Sequence, residues 1–273
     1  MKKRMIALAL CLALLVSLAA CGNKESGMED VIKVGVVGER NEAWQDVAKR
    51  FEEKEGKKIE LVVFTDYNQP NDALAAGDID LNSFQHKKFL NNYNEEKGEN
   101  LAILGDTILA PLGLYSTQIN TLEEIKEKDK IAIPDDVSNL ARSLFLLQSA
   151  GLIKVKGNPG DPVDLEDIIE NPLELEIIPM NSNQTARSLD DVIAATINND
   201  MSQDAGLSVK EDTIFVEKAD EDSAPYINVI AVREEDKDNA LYQKLLTEYY
   251  QTEETAKVIE EAYQGGQIPA WKE

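Results

Sequence analysis

Rings and amides crowd one short stretch, Asp80-Leu81-Asn82-Ser83-Phe84-Gln85-His86-Lys87-Lys88-Phe89-Leu90. His86 is the single histidine in 273 residues, and Phe84, His86 and Phe89 fall within six positions. Rings interleaved with Asn82, Ser83 and Gln85 do not read as a core strand. They read as a loop or helix start that offers rings and hydrogen-bonding groups to something else. The plainer alternative is a satisfied core histidine with two packing phenylalanines.

A second stretch carries charge chemistry. Asp135-Asp136-Val137-Ser138-Asn139-Leu140-Ala141-Arg142 follows a β-branched apolar run and opens a helix, with Ser138 or Asn139 as the expected N-cap. Arg142 then falls in the first turn, where the helix dipole disfavours a cation. A free carboxylate would resolve the conflict by a bidentate pair with Arg142 and bonds from exposed amides. An exposed arginine paired with Asp135 or Asp136 would resolve it too.

Catalytic readings are thin. Ser83 and His86 lie one helical turn apart with Asp80 nearby, but neighbours in sequence rarely build a triad and no Gly-x-Ser-x-Gly motif occurs. Gly35 and Gly38 close the first apolar strand without the fuller dinucleotide fingerprint, and a tight strand-to-helix turn explains them better. Neither a P-loop nor an EF-hand loop is present. No cofactor is expected.

The elements that must position these groups alternate. Strands are expected at 32–37, 59–64, 103–114 with a break at Pro111, 130–133, 173–178, 214–217 and 226–233. Helices are expected at 41–51, 71–76, 139–150, 187–195, 239–249 and 253–263, with a further helix start at Thr121. This βα order implies an α/β fold with parallel sheets and crossover helices. The pattern runs twice and returns through 226–233. Two lobes are therefore expected, one of residues 31–115 plus 226–273 and the other of 116–225, with a ligand cleft between them.

The first twenty residues read as a targeting segment. Lys2, Lys3 and Arg4 precede an apolar run, and Leu18-Ala19-Ala20 supplies small residues before Cys21. The run is short for a membrane span. Leu-Ala-Ala-Cys resembles a bacterial lipoprotein cleavage site, which implies that Cys21 becomes the first mature residue and carries lipid, with residues 21–30 as a tether. With Cys11 removed and Cys21 capped, the body has no thiol, and one histidine excludes a multi-histidine zinc site. After the leader, 25 Lys and Arg face 51 Asp and Glu, a charge of −26. Such acidity argues against nucleic acid and against adhesion to anionic headgroups by charge.

Several motifs together resemble one family. They are Asp66-Tyr67-x-x-Pro70-Asn71-x-Ala73-Leu74, Asn82-x-Phe84-Gln85-His86, Ala110-Pro111-Leu112-Gly113-Leu114-Tyr115-Ser116, Ile131-Ala132-Ile133-Pro134 and Leu146-Leu147-Gln148-Ser149-Ala150-Gly151. Arg187-Ser188-Leu189-Asp190-Asp191-Val192, Ile197-Asn198 and Ile268-Pro269-Ala270-Trp271 follow in the same order. All resemble the methionine-binding lipoproteins of the NlpA/MetQ family, across essentially the whole mature chain.

The resemblance implies a two-lobed periplasmic-binding-protein fold, type II-like. It also implies a lipid-anchored monomer on the extracytoplasmic face of the cell membrane that delivers L-methionine or a related amino acid to an ABC permease and its ATPase. By the same resemblance Tyr67, Phe84, His86 and Phe89 line the side that receives the ligand's side chain, where a thioether suits ring edges. Arg142 is then the carboxylate clamp with Asn139 one turn away, and Asn198 and Asn228 orient the backbone end.

The chain departs from the family at Asn199-Asp200-Met201-Ser202, where a Tyr-Ala is usual, and at Lys88, where Pro is common. Asp200 adds an acceptor or a charge near the ammonium end, and Met201 removes a ring. That leaves a methionine derivative, a methionine-containing dipeptide or another apolar amino acid open as the ligand. A surface interaction lipoprotein without a transport role is the reading from a different class.

Overall fold

The computed structural model describes residues 31–272, so the leader, Cys21 and the tether lie outside the described residues. Two sheets organise the chain. The first holds β1 (Ile32–Val37), β2 (Ile59–Phe64), β3 (Leu81–Asn82), β4 (Ala102–Leu109), β12 (Ile227–Val232) and β13 (Ile268–Pro269), in the order β13-β4-β12-β3-β1-β2. The second holds β5 (Gly113–Tyr115), β6 (Lys130–Pro134), β9 (Glu176–Met180), β10 (Ala194–Ile197) and β11 (Thr213–Val216), in the order β11-β5-β10-β6-β9. A small antiparallel pair, β7 (Lys154–Val155) and β8 (Ile168–Glu170), stands apart.

The fold is α/β and two-lobed, but each sheet is mixed. β1 runs parallel to β2 and β3, and β6 parallel to β9 and β10. β12, β4 and β13, like β5 and β11, pair antiparallel. Gly113–Tyr115, placed in the first lobe from its sequence, pairs instead with β10 and β11 of the second sheet. Pro111 cannot donate to a ladder, so the long strand ends at Leu109 and the chain crosses between sheets there.

The helices are α1 (Glu42–Glu55), α2 (Gln69–Ala76), α3 (Lys87–Lys97), α4 (Val137–Ser149), α5 (Ser182–Thr185), α6 (Asn199–Asp204), α7 (Ala240–Lys244) and α8 (Glu253–Tyr263). α1 buries Trp44, Val47 and Phe51 at helical spacing against β1 and the C-terminal helical residues Leu245, Tyr249 and Tyr250. The other face of the first sheet is covered by Leu74 and Leu90. In the second lobe Leu144 and Leu147 of α4 pack over Ile131 and Ile133.

Three further sequence expectations change. Arg187 to Ala195 is a 3-10 turn over Ala186–Asp190 followed by β10, because the fully buried run Ala194–Ile197 sits inside the second sheet and pairs on both edges. The stretch 245–250 winds as a π-helix rather than continuing α7. Leu81 and Asn82, expected outside any strand, form the short β3 between β1 and β12.

A further apolar cluster joins the two sheets. Val37, Tyr67 and Phe84 come from the first lobe, and Tyr115, Ala132, Leu189, Ile197 and Met201 from the second. It lies beyond the carboxyl ends of β1, β3, β6 and β10, where open α/β sheets leave their crevice. Polar bridges run beside it: Glu39 N donates to Asp204 Oδ1 at 2.9 Å and Arg40 Nη1 to Gln203 Oε1 at 2.7 Å. Gly38 turns with φ +79° beside Asp204, in a conformation that favours glycine, so this glycine serves the turn after β1.

Candidate functional site

A buried amide network shapes the loop after β3. Asn71 Oδ1 accepts from Asn82 Nδ2 at 2.8 Å and from Gln85 Nε2 at 2.6 Å, while Asn71 Nδ2 donates to Gln85 Oε1 at 2.7 Å. All three side chains are nearly inaccessible, and their amides satisfy one another without any charge. The loop so fixed delivers Phe84 and His86 to the crevice. Asn228 of β12 bridges to it, with Nδ2 donating to the Phe84 carbonyl at 3.3 Å.

His86 is the N-cap of α3. Its Nδ1 accepts from the Phe89 backbone N–H at 3.1 Å, so the proton belongs on Nε2, which faces Asn139 Oδ1 at 3.3 Å. Burial, with the nearby positive charge of Arg142, pushes the imidazole down to about 3, so it is neutral at physiological pH. Both ring nitrogens are therefore committed away from Ser83, which removes the geometry a Ser-His pair needs.

On the facing lobe Asp136, not Ser138 or Asn139, caps α4. Its Oδ1 accepts the Asn139 backbone N–H at 3.0 Å, and both carboxylate oxygens accept from Asn139 Nδ2. Asn139 Oδ1 is thereby turned outward, to take His86 and Asn198 Nδ2, the latter at 2.9 Å. Burial raises the Asp136 carboxyl, partly offset by those hydrogen bonds.

With the cap at Asp136, Arg142 stands in the second turn of α4. It is buried and pairs with neither Asp135 nor Asp136. Its partner is Glu217, just past β11: Nε donates to Oε1 at 3.0 Å and Nη2 to Oε2 at 2.5 Å. Nη2 also reaches the Ala110 carbonyl at 3.0 Å, on the crossing segment. The guanidinium lies 4.4 Å from the centroid of the Tyr226 ring, and His86 meets the same ring edge-on at 5.3 Å.

The rings continue. Tyr67 and Phe84 stack at 5.9 Å, and Phe89 meets both edge-on, at 6.1 Å from Tyr67 and 5.8 Å from Phe84. Tyr67 Oη donates to Asp200 Oδ2 at 3.2 Å. Burial pushes the Asp200 carboxyl up to about 7, and the same burial and charge hold the Tyr67 phenol well above its usual range.

All nine residues singled out from the sequence, Tyr67, Phe84, His86, Phe89, Asn139, Arg142, Asn198, Asp200 and Asn228, line one cavity. The cavity is partly open to solvent, and Gln85, Ala110, Leu112 and Asn199 complete the wall. Two buried atoms there have no partner, the acceptor Asn198 Oδ1 and the donor Asn199 Nδ2. Such groups cost roughly 1–3 kcal/mol each when left unmade, so this is a wall shaped for a polar occupant.

Sequence reasoning missed Tyr226 and Glu217, and it offered Asp136 as an alternative partner of Arg142 rather than as the cap of α4. Tyr226 closes a 3-10 turn just before β12, two residues ahead of Asn228, and that nearness is its one signal in the sequence. The wall offers rings at one end, a guanidinium at another, and amide and carboxylate acceptors between. That arrangement suits a small zwitterion with an apolar, polarizable side chain.

The family model of the NlpA lipoproteins matches residues 32–271. The D-methionine-binding lipoprotein MetQ of Salmonella typhimurium is 40% identical over 258 residues, covering 93% of each chain. Among solved structures, a nutrient-binding protein of Burkholderia cenocepacia bound to methionine aligns with a TM-score of 0.83 at 39% identity, over 88% of this chain and 99% of that one. The substrate-binding protein of a methionine transporter from Streptococcus pneumoniae aligns with a TM-score of 0.83 at 37% identity, over 88% and 96%. The chain belongs to the NlpA lipoprotein family.

Proposed function

We propose that this member of the NlpA lipoproteins binds methionine in the cleft between its lobes and hands it to an ABC importer. The observation that supports this most is the single cavity where the ring cluster Tyr67-Phe84-Phe89 and the guanidinium of Arg142 meet. The thioether packs against ring edges, the ligand carboxylate approaches the Arg142 edge, and the ammonium meets Asn198 Oδ1. The relatives, a D-methionine-binding lipoprotein and two methionine-binding or methionine-transport proteins of known structure, point to the same ligand class.

The protein is then a carrier rather than an enzyme, and its partners are a permease and its ATPase. Lipid on Cys21 holds it at the extracytoplasmic face of the membrane. It works as a monomer of two lobes, 31–115 with 226–273 and 116–225, with the correction that β5 belongs to the second sheet.

Protein that has been unfolded, washed free of retained ligand and refolded is titrated with L-methionine, then with D-methionine. Saturable one-to-one binding of L-methionine is expected. Absence of heat with both enantiomers overturns the assignment.

A further inference from the structure

Contacts in series lead along the cavity wall from Arg142. The guanidinium covers Tyr226, Tyr226 meets His86, His86 meets Phe89 at 6.2 Å, Phe89 meets Tyr67, and Tyr67 bonds to Asp200. The two ends are unlike. Arg142 has its charge answered by Glu217. Among the described residues the Asp200 carboxylate has one hydrogen-bond partner, Tyr67, and no Lys, Arg or His within ion-pair distance. Two positions away Asn198, a residue 8% exposed, has its Oδ1 without a donor. Asp200 and Asn198 Oδ1 thus offer acceptors on the same cavity wall, which has one unpartnered donor, Asn199 Nδ2, and a protonated amine is the group that supplies both further donors and the charge that answers a carboxylate.

We propose that Asp200 is the specificity-determining acid of this cleft: it selects ligands that carry a protonated amine, and it gives up a proton when such a ligand binds. This rests on reading the cleft as an amino-acid site. In the ligand-free protein the carboxyl is desolvated and holds its proton into the neutral range. On binding, the carboxyl O–H breaks, the proton leaves to solvent, and an ammonium N–H bonds to the carboxylate. The local charge is zero before and after, which a low-dielectric wall requires.

The other charges facing Asp200 are held. His86 is neutral and Tyr67 keeps its phenol proton. Arg142 is paired with Glu217, and Arg40, which shares a neighbouring cavity with Asp200, is paired with Glu42. Tyr250 and Tyr263 face that second cavity as raised phenols. Asp204 accepts the Glu39 amide. Asp136, on α4, is the other acid that burial raises, and it stays constant in a comparison of Asp200 variants.

The test is calorimetry of the delipidated protein with L-methionine, in buffers of differing ionisation enthalpy, for wild type and Asp200→Asn. Near pH 6 the wild type is expected to release close to one proton per methionine, and Asp200→Asn none. Wild-type affinity should fall about tenfold per pH unit below the acid's titration, while the variant stays flat. N-acetyl-L-methionine, which lacks the cation, should release no proton from either protein. Methionine binding without proton release, or equal pH slopes in the two proteins, overturns this proposal and leaves the methionine reading standing. If methionine does not bind at any pH, it is the methionine reading that fails. Carbon-13 NMR of the Asp200 carboxyl in ligand-free wild type then decides the acid's part alone, and needs no variant that folds. Titration near neutrality supports the proposal, and titration in the ordinary carboxylate range overturns it.

Discussion

Arg142 and Glu217 lie 75 residues apart in sequence and meet in a two-pronged pair, Nε to Oε1 at 3.0 Å and Nη2 to Oε2 at 2.5 Å. The pair holds the guanidinium over the Tyr226 ring while Arg142 still lines the cavity. A planar fork answers a planar carboxylate, and a lysine could not hold both the pair and the ring contact. Glu217→Ala leaves a buried guanidinium without its counter-charge. A loss of about 3 kcal/mol in folding stability is expected, the low end of the range for breaking a buried pair because Glu217 keeps some solvent contact. Urea denaturation checks this, and an unchanged midpoint would contradict it.

Removal of the guanidinium itself bears on binding. Arg142→Ala is expected to weaken methionine at least a hundredfold, since a ligand carboxylate would be desolvated without a partner. Arg142→Lys keeps the charge and loses the fork, so it should fall between. Calorimetry of the refolded variants reads both, and an Arg142→Ala protein that binds like wild type would remove the clamp from the account.

The rings should cost less. Phe84 and Phe89 sit 5.8 Å apart with Tyr67 beside both. Each sulfur–aromatic contact contributes about 0.3–1.5 kcal/mol, so norleucine, with a methylene in place of sulfur, should bind roughly twofold to tenfold more weakly than methionine. In Phe89→Ala that preference should shrink. Equal affinities for the two ligands in wild type would show that the rings do not read sulfur.

Two groups on the cavity wall, the buried His86 and the half-buried Asp200, make stability depend on pH in opposite senses. His86 titrates at about 3 when folded against 6.5 otherwise, so the unfolded chain binds more protons between these values and stability falls as pH drops through them. Asp200 titrates at about 7 when folded against 3.8 otherwise, so the folded chain binds more protons there and stability falls as pH rises. Asp200→Asn abolishes only the second effect. Its advantage in Tm over ligand-free wild type should therefore grow from pH 4 to pH 7 and then level off, with an upper bound of about 4 kcal/mol. An advantage independent of pH would contradict the burial assigned to this acid.

The anchor has its own test. Cys21→Ser should abolish lipid attachment and release the protein into the soluble extracytoplasmic fraction, with methionine binding unchanged in the purified chain. Continued membrane association of the variant would show that something besides Cys21 holds it.

The binding stretch was legible because its parts are close in sequence. Phe84, His86 and Phe89 fall within six positions, and the odd mixture of rings and amides set the stretch apart from an ordinary core strand, although Asn82, Phe84, Gln85 and His86 are all buried. The network of Asn71, Asn82 and Gln85 gives that mixture a physical reason, since each amide is spent on another. Local patterning could not find Glu217, because nothing near Arg142 in sequence marks a partner beyond β11. It misplaced the α4 cap because Asp136, Ser138 and Asn139 are all good caps, and only the fold shows that Asn139 is needed elsewhere. It read 187–195 as helix because periodicity cannot show that Ala194–Ile197 will be paired on both edges.

The account turns on where methionine sits. A crystal structure of the refolded protein with L-methionine tests that most directly. The account predicts the ligand carboxylate within hydrogen-bond distance of Arg142, the sulfur among Tyr67, Phe84 and Phe89, and the amine against Asn198 and Asp200. Methionine bound outside the space between the lobes, or reversed so that its sulfur faces Arg142, would contradict it.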